Sequence, residues 1–348
     1  MFLQAFFRSI QWLFLLVVAS LSACQGGATE NGLHNESGLW TIDHLISSLQ
    51  DEAADVMLIE VGTTTAYESG HLPGAYNLGR SDFTNVEDYP FGGMRIEAAD
   101  LADLLGSLGV DSTTSIILYD DYANVDAARL YWLLRNYGHQ STALLDGGKV
   151  AWELAGHELS IESPLNRAAT DYQFSEPINF LQLADLNVVL SALENEEVVV
   201  VDTREPEEFL GAPYLQNGKL YRYKRGAYTN GCIPGAIHLN WTETVELAGD
   251  HRFLPLEDLR EKLASHGITS DKKIITYCQS GVRSAHFTFV LTELLRFPSV
   301  FNYDGSWIEW SYHHMNGQKV PIEQHTDSLS CEQRWQELAA TLEANNAL

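Results

Sequence analysis

The chain contains an internal repeat, and a duplicated unit restricts the possible folds more than any other feature of the sequence. Residues 115–148 match residues 273–306 in order, including the segments LLDGG and NYDGS near their ends. Upstream, YESGHLPGAYNL in the first half matches YTNGCIPGAIHL in the second. Such ordered agreement indicates that both copies fold as the same unit. A third match, VMLIEVG with VVVVDTRE, lies further upstream, and 19 more residues separate it from the YTNGCIPGAIHL segment in the second copy, which predicts an insertion at about residues 211–230.

Each copy alternates short apolar runs with stretches of helical period. The helical period is clear in VDAARLYWLLRNYG and VRSAHFTFVLTELLR. Strands too apolar to have a solvated face, separated by helices, are typical of a parallel sheet covered on both sides. The sequence therefore predicts an α/β fold of two tandem domains, each a mainly parallel sheet flanked by helices. The predicted strands are residues 56–60, 116–119 and 142–145 in the first copy and 198–202, 273–277 and 299–303 in the second.

The length of the chain agrees with two domains, because 348 residues exceed what one hydrophobic core usually organises. We place the domains at residues 39–161 and 181–322. Residues 162–180 lack periodicity and contain two prolines, which predicts a linker. Residues 323–348 are predicted to form a C-terminal tail helix that packs rather than acts in chemistry.

The N-terminal segment has the pattern of a bacterial export signal. A single basic residue precedes an apolar stretch that is too short for a comfortable membrane span. The segment LSAC, which ends at Cys24, resembles a lipobox, in which the cysteine carries the lipid. We therefore predict a signal peptide at residues 1–23, lipidation of Cys24 and a tether at residues 24–38. A lipid-anchored periplasmic protein is expected, at the outer rather than the inner membrane because Gln25 follows the cysteine.

The charge of the chain argues against one class of partner. It has 21 Lys and Arg residues against 47 Asp and Glu residues, a formal net charge of −26. Phosphate groups would be repelled, so we do not expect nucleic acid as a partner. Neither His71 nor the histidine pair at 313–314 has a spaced set of cysteines and histidines around it. We accordingly predict no metal and no cofactor.

Cys278 is the strongest candidate for a reactive group. With Cys24 set aside, three cysteines remain, and an odd number in an oxidising compartment leaves at least one thiol free. Cys278 follows a predicted strand, at the edge where the reactive residues of parallel sheets collect. Turn amides, the N-terminus of a helix beginning near Val282 and the charge of Arg283 would favour its thiolate. Gly281 suits such a turn, which commonly needs a positive φ.

The chain resembles the rhodaneses, or sulfurtransferases, in VVVVDTREPEEF, GCIPGAIHLNW, YCQSGVRS and YDGSWIEW, and in the first-half segments YESGHLPGAYNL and LLDGGKVAW. The likeness is to the tandem-domain thiosulfate and 3-mercaptopyruvate sulfurtransferases and covers residues 39–322. It implies a ping-pong reaction through a Cys278 persulfide, from a small anionic sulfane donor to a thiophilic acceptor such as cyanide or a thiol. Asp120 stands in the cysteine's place in the first copy, so residues 39–161 are expected to be non-catalytic and residues 181–322 catalytic.

The loop around the cysteine is expected to bind the substrate, and a second group of residues to support the loop. The predicted substrate-binding residues are Gln279, Ser280, Gly281, Val282, Arg283 and Ser284, together with Arg225 of the insertion. The predicted structural support is Asp202, Arg204 and Trp307, with Asp202 and Arg204 as a bracing ion pair beneath the loop.

Two positions depart from the family pattern. Arg283 stands where threonine is usual, and Glu208 stands where a substrate-binding arginine is often found. A carboxylate at position 208 is expected to repel an anionic donor. The insertion offers a compensation, because we expect its basic segment GKLYRYKR to overhang the site and receive the anion. The basic residues of that segment are Lys219, Arg222, Lys224 and Arg225.

Three other functions stay open at this point. Cdc25-like phosphatases and arsenate reductases also place a cysteine and an arginine around backbone amides, but with five residues between them. Four residues separate Cys278 from Arg283 here, and the smaller ring favours sulfur. A redox protein that pairs Cys232 with Cys278, or a binding lipoprotein with a relic site, would use the same scaffold.

Overall fold

The computed structural model describes residues 38–85, 87–175, 182–216 and 219–325. Among these residues, none of the helices has the length and apolar character needed to cross a membrane. The predicted signal peptide, the lipidation site at Cys24 and the tail beyond residue 325 lie outside the described residues.

The first copy folds as a five-stranded parallel sheet flanked by helices. Its sheet order is β1-β7-β6-β2-β3, and β4 and β5 form a separate antiparallel pair. The strands are β1 (Leu39–Trp40), β2 (Val56–Val61), β3 (Tyr76–Leu78), β4 (Thr84–Asn85), β5 (Met94–Arg95), β6 (Ser115–Tyr119) and β7 (Thr142–Leu145). The helices are α1 (Ile42–Gln50), α2 (Thr64–Glu68), α3 (Ala98–Ser107), α4 (Val125–Tyr137) and α5 (Gly148–Leu154), with a 3₁₀ turn at Arg80–Phe83.

The second copy repeats this topology. Its strands are β8 (Leu183–Ala184), β9 (Val198–Asp202), β10 (Tyr214–Gln216), β11 (Lys219–Tyr221), β12 (Ile237–His238), β13 (Lys273–Tyr277) and β14 (Val300–Tyr303). Its helices are α6 (Leu186–Ala192), α7 (Pro206–Leu210), α8 (Leu256–Ser265), α9 (Val282–Phe289) and α10 (Ser306–Met315), with a 3₁₀ turn at Trp241–Thr244 and a π-helical turn at Val290–Leu294. The parallel sheet has the order β8-β14-β13-β9-β12, strand for strand that of the first copy. The prediction of two repeated α/β domains is confirmed.

The insertion of the second copy forms a hairpin. Strands β10 and β11 pair antiparallel within the predicted range 211–230. The hairpin adds no strand to the five-stranded sheet, so the extra residues leave the repeated core unchanged.

The central strands account for the apolar runs in the sequence. Residues 116–119 of β6 and 274–277 of β13 are buried, because each strand has a parallel neighbour on both sides and helices on both faces. The carboxyl end of β13 therefore opens directly onto the edge where Cys278 lies.

Helix α4 packs at the interface between the two domains. Ten of its residues are buried, because it packs against both its own sheet and helix α9 of the second copy. The buried guanidinium of Arg129 pairs with Asp304 and donates to the Gly281 carbonyl at 3.4 Å. Arg95 pairs with the same Asp304 carboxylate at 3.0 Å. These contacts fix the first domain against the turn that carries Cys278.

The segments that flank the second domain differ in part from the predictions. Residues 162–175 of the predicted linker contain neither helix nor strand, as expected, although Tyr172 and Phe174 are buried. Residues 323–325, where the predicted tail begins, are not helical, and Glu323 forms an antiparallel bridge with Cys232; the helical pattern from about Glu332 lies outside the described residues.

Candidate active site

Cys278 lies at the point where β13 ends and α9 is about to begin. Its side chain is nearly buried, and the turn to the helix takes only three residues. Gly281 has φ +76°, so the predicted need for a positive φ is confirmed. A Cβ atom there would also lie 2.7 Å from the Asp304 carbonyl oxygen and 2.8 Å from the Arg129 guanidinium. The turn can close this tightly only with glycine at position 281.

The surroundings of the sulfur favour its anionic form. Burial raises the pKa of the Cys278 thiol, but the charge of Arg283 and hydrogen bonds from Ser284 and from the backbone of Ser280 outweigh it and lower the pKa. The Ser284 hydroxyl also lies 2.6 Å from the Asn302 side-chain oxygen, so its single proton is shared between two acceptors. The charge of Arg283 and the backbone amides are therefore the main stabilisers of the thiolate.

The first copy shows the same cradle filled by a carboxylate. Asp120 accepts hydrogen bonds from the backbone amides of Tyr122 at 2.8 Å and Asn124 at 2.6 Å through one oxygen. Its other oxygen accepts from the amides of Asp126 at 2.8 Å and Ala127 at 3.1 Å. The turn at the end of the central strand thus directs N–H groups at its first side chain in this copy. A carboxylate is a poor sulfur carrier, so the geometry agrees with a non-catalytic first domain.

A buried ion pair lies beneath the Cys278 loop. Arg204 donates to both carboxylate oxygens of Asp202, at 2.6 to 3.0 Å, and its guanidinium lies 4.7 Å from the centre of the Trp307 ring. Tyr277, next to the catalytic candidate, donates to Asp202 at 2.5 Å. The structure thus brings the three residues predicted as structural support together as one buried group.

The first copy keeps a buried ion pair at this place but takes its cation from elsewhere. Gly62 stands at the position of Arg204, and Glu60 pairs instead with Lys149 at 2.8 Å. Lys149 occupies the position of Trp307 in the repeat. The charge balance is therefore retained by a different residue, which a comparison of the strand ends alone does not reveal.

Arg283 and Glu208, the two departures from the family pattern, pair with each other. The Arg283 guanidinium makes two hydrogen bonds to the Glu208 carboxylate, at 2.6 and 2.9 Å. Lys224 adds a third contact at 3.1 Å. Burial opposes the charge of Glu208, but these cations lower its pKa to about 2. The expectation that Glu208 repels an anionic donor is therefore wrong, because two cations neutralise its charge.

Cys278 is among the residues that line a cavity of about 410 Å³. Lys224 and Arg225 line it, as expected for the insertion, whereas Lys219 and Arg222 are not among its described lining residues. The lining residues from the second domain are Glu205, Lys224, Arg225, Trp241, Cys278, Gln279, Ser280, Val282, Arg283 and Ile308. Cys278 is thus near the surface of a polar, cationic cavity rather than enclosed by hydrocarbon.

Two residues of the predicted binding set do not line this cavity. Gly281 and Ser284 are absent from its described wall, and Ser284 is fully buried. The Gly281 carbonyl accepts from the Asn302 side chain at 3.0 Å. Substrate binding by these two residues stays a prediction, and their observed contacts support the sulfur, through Ser284, and the turn, through Gly281.

The first domain supplies part of the cavity wall, which the sequence interpretation missed. Arg80, Tyr122, Val125 and Asp126 line it. Arg80 donates to the Ser280 hydroxyl at 3.3 Å and pairs with Asp126 at 3.4 Å. The repeat did carry a signal for residues 122–126, because this segment matches the Cys278 loop and the two following helices pack together. Nothing in the sequence singled out Arg80.

The family model for the rhodanese-like domain matches the chain twice, at residues 41–155 and 185–313. The chain belongs to the rhodanese-like family. A relative from Saccharopolyspora erythraea, provisionally named a thiosulfate sulfurtransferase, is 38% identical over 71% of this chain and 84% of its own length. A relative from Haloferax volcanii with the same provisional name is 35% identical over 78% of this chain and 91% of its own length.

Other rhodanese-like proteins extend the comparison. The sulfur carrier protein TtuD of Thermus thermophilus is 34% identical over 78% of this chain and 91% of its own length. The solved structure of wild-type EanB superposes with a TM-score of 0.68 at 22% identity, over 85% of this chain and 71% of that one. The crystal structure of YnjE gives a TM-score of 0.70 at 22% identity, over 86% and 71%. The named relatives support a sulfurtransferase, and the two solved structures support the fold.

Proposed function

We propose that this rhodanese-like protein transfers a sulfane sulfur from a small anionic donor to a thiophilic acceptor through a persulfide on Cys278. The observation that carries the proposal is a thiol whose pKa is lowered by Arg283 and by backbone amides, at the wall of a cavity that also contains Lys224 and Arg225. The thiolate is the nucleophilic form of cysteine, and a persulfide anion would be held by the same donors.

The reaction balances without a cofactor. The Cys278 thiolate attacks the sulfane sulfur of the donor, the new sulfur–sulfur bond forms, and the donor's bond to that sulfur breaks. The electron pair leaves with sulfite when thiosulfate is the donor, and with the enolate of pyruvate when the donor is 3-mercaptopyruvate. Cyanide or a thiolate then attacks the outer sulfur and restores the Cys278 thiolate.

Intact mass measurement tests the proposal directly. The protein is incubated with thiosulfate and, separately, with 3-mercaptopyruvate, and freed of small molecules. We expect a gain of one sulfur atom with at least one donor, and its removal by cyanide as thiocyanate. No gain with either donor would contradict this choice of donors. The relatives' provisional names favour thiosulfate, whereas neutral Gln279 and Ser280 follow the cysteine, so both donors belong in the experiment.

The basic insertion provides the second prediction. Replacing Lys224 and Arg225 together by serine is expected to raise KM for the anionic donor about three- to tenfold, because two partly solvated cations leave the cavity wall. The turnover number should change less than KM, since neither side chain is required at the sulfur. Steady-state kinetics with varied donor measures both constants.

The same hairpin region offers a matched control. Replacing Lys219 and Arg222 by serine removes equal charge from exposed positions that are not among the described residues of the cavity wall. KM should then stay within about twofold of the wild type, as expected for distant, screened charges. Equal rises in KM for both double variants would mean that only the general field of the insertion matters, and unchanged KM for both would end the proposed binding role.

We further propose that the chain is anchored by lipid through Cys24. The support is the LSAC segment after a short apolar stretch, followed by a glycine-rich tether. In a bacterial host, labelled palmitate should be incorporated into the wild type and fractionate with membranes, and both signals should be lost in Cys24→Ser. Label retained in Cys24→Ser would contradict lipidation at this position.

A further inference from the structure

Three side chains with metal-binding chemistry meet in the second domain, away from the cavity that borders Cys278. They are Cys232, Glu323 and His325, and one ligand atom from each lies within 4.8 Å of the other two. The Sγ atom of Cys232 is 3.3 Å from Nε2 of His325, and Nδ1 of His325 is 3.8 Å from the Glu323 carboxylate. None of the three takes part in the proposed sulfur transfer.

The backbone holds these residues in register. Cys232 and Glu323 form an antiparallel bridge in which each amide donates to the other's carbonyl at 2.9 Å. In extended chain, side chains two residues apart project to the same side. His325 therefore projects to the same side as Glu323, toward Cys232, which lies opposite Glu323 in the bridge. The ring of Phe209, 4.4 Å from the His325 ring, further restricts the imidazole.

The first copy shows that the fold does not require this set of residues. The same bridge there joins His71 to Ser160, with amide to carbonyl distances of 2.9 and 2.7 Å. Both ring nitrogens of His71 lie within hydrogen-bonding distance of backbone carbonyls, those of Tyr67 and Glu162. The pairing of the two segments is thus retained with other side chains, and the cysteine, histidine and carboxylate are particular to the second copy.

We propose that Cys232, Glu323 and His325 form a binding site for a borderline-soft divalent cation such as Zn²⁺. Thiolate, imidazole and carboxylate are the ligands that Zn²⁺ takes in proteins. Ligand bonds of about 2.3 Å to sulfur and about 2.0 Å to nitrogen, at an angle near 100°, give roughly the sulfur to nitrogen distance seen here. One carboxylate oxygen of Glu323 accepts from the Gly235 amide at 2.8 Å, which leaves the other oxygen as the third ligand, and a water molecule would take the fourth position.

The environment of the sulfur agrees with an ion rather than a nucleophile. Cys232 is not among the described residues that line the cavity beside Cys278, whereas the side chains of its neighbours Glu323 and His325 are 43% and 31% exposed and give an ion access. A bound cation would supply the positive charge that balances a buried thiolate. On binding, the S–H bond breaks, the metal–sulfur bond forms and one proton passes to the buffer.

The test measures metal binding to the full chain carrying Cys24→Ser, Cys278→Ser and Cys331→Ser, so that other thiols do not compete. After treatment with chelator, Zn²⁺ is titrated against a chromogenic chelator, and Co²⁺ serves as a spectroscopic probe. We expect one equivalent bound, release of about one proton, and a thiolate-to-cobalt charge-transfer band. Binding should also raise Tm, because the ion ties the segment around Glu323 to the Cys232 loop.

Variants separate the ligands from general effects. Cys232→Ser and His325→Gln should each weaken Zn²⁺ binding at least tenfold, and Cys232→Ser should remove the charge-transfer band. His313→Gln is the matched control, because His313 also lies 3.8 Å from a carboxylate, that of Glu309, but has no cysteine in its described surroundings. It should bind as the parent does. Far-UV circular dichroism checks that each variant is folded.

Two results would overturn the metal site. One is a parent that binds no Zn²⁺ or binds Co²⁺ without a charge-transfer band, an outcome that does not depend on any variant folding. The other is a folded Cys232→Ser variant that binds as tightly as the parent. In either case the three residues form only a hydrogen-bonded cluster. Because this test never measures sulfur transfer, its failure leaves the proposed function untouched.

Discussion

The Cys278→Ser variant is expected to lose sulfur transfer by at least about 10³-fold, since removal of a nucleophile commonly costs this much or more. A serine hydroxyl is not ionised at neutral pH by this cradle, and oxygen cannot replace sulfur as the carrier of a persulfide. Intact mass after incubation with donor should show no added sulfur, and addition of cyanide should yield no thiocyanate above background.

The control for Cys278→Ser is removal of another thiol. Cys331→Ser lowers the thiol count equally and should still gain one sulfur atom. Stable labelling of Cys278→Ser at the wild-type level would show that a different cysteine carries the sulfur. Because the side chain at position 278 is nearly buried and serine is of similar size, the variant should fold, and its unfolding transition in urea provides the check.

Arg283→Gln is expected to move the acidic limb of the pH profile of kcat/KM toward higher pH. Arg283 lowers the pKa of Cys278, so the thiolate persists to lower pH when the guanidinium is present. Loss of that charge raises the pKa, and the thiolate is then lost at a higher pH as the solution is acidified. At pH 7 we expect kcat/KM to fall roughly tenfold, which corresponds to about 1.4 kcal/mol of transition-state stabilisation.

Arg283→Gln also removes the guanidinium that pairs with the Glu208 carboxylate and leaves Lys224 as its cationic partner. The side chains of Arg283 and Glu208 are 11% and 7% exposed, and breaking such a buried pair from one side costs about 3 kcal/mol. The free energy of unfolding of Arg283→Gln should fall accordingly. The double variant with Glu208→Gln replaces the charged pair by two amides and should recover most of that stability.

The double variant separates electrostatic activation from loop packing. If Arg283 acts through its charge, the double variant regains stability but keeps the displaced acidic limb and the low kcat/KM at pH 7. If its role were only to brace the loop, stability and the pH profile would recover together. An unchanged pH profile in the single variant would contradict the role of Arg283 in lowering the thiol pKa.

The sequence by itself determined the architecture and singled out Cys278 as the candidate reactive residue. The α/β class follows from local patterns, because apolar runs such as residues 273–277 and the helical period after Val282 depend on neighbours along the chain. The repeat then fixed the second domain as a copy of the first. Cys278 and Gly281 were also predictable, since a strand end, a tight turn and a helix start are all short-range features.

Only the tertiary structure decided how distant residues combine at the site. Arg80 contacts Ser280 from 200 positions away, and Glu208 pairs with Arg283 from 75 positions away. The repulsion of an anionic donor expected for Glu208 was wrong for this reason, because the effect of a carboxylate depends on the cation beside it in space. The meeting of Cys232 with His325 has the same origin, because the register that brings them together belongs to a bridge between segments 91 residues apart.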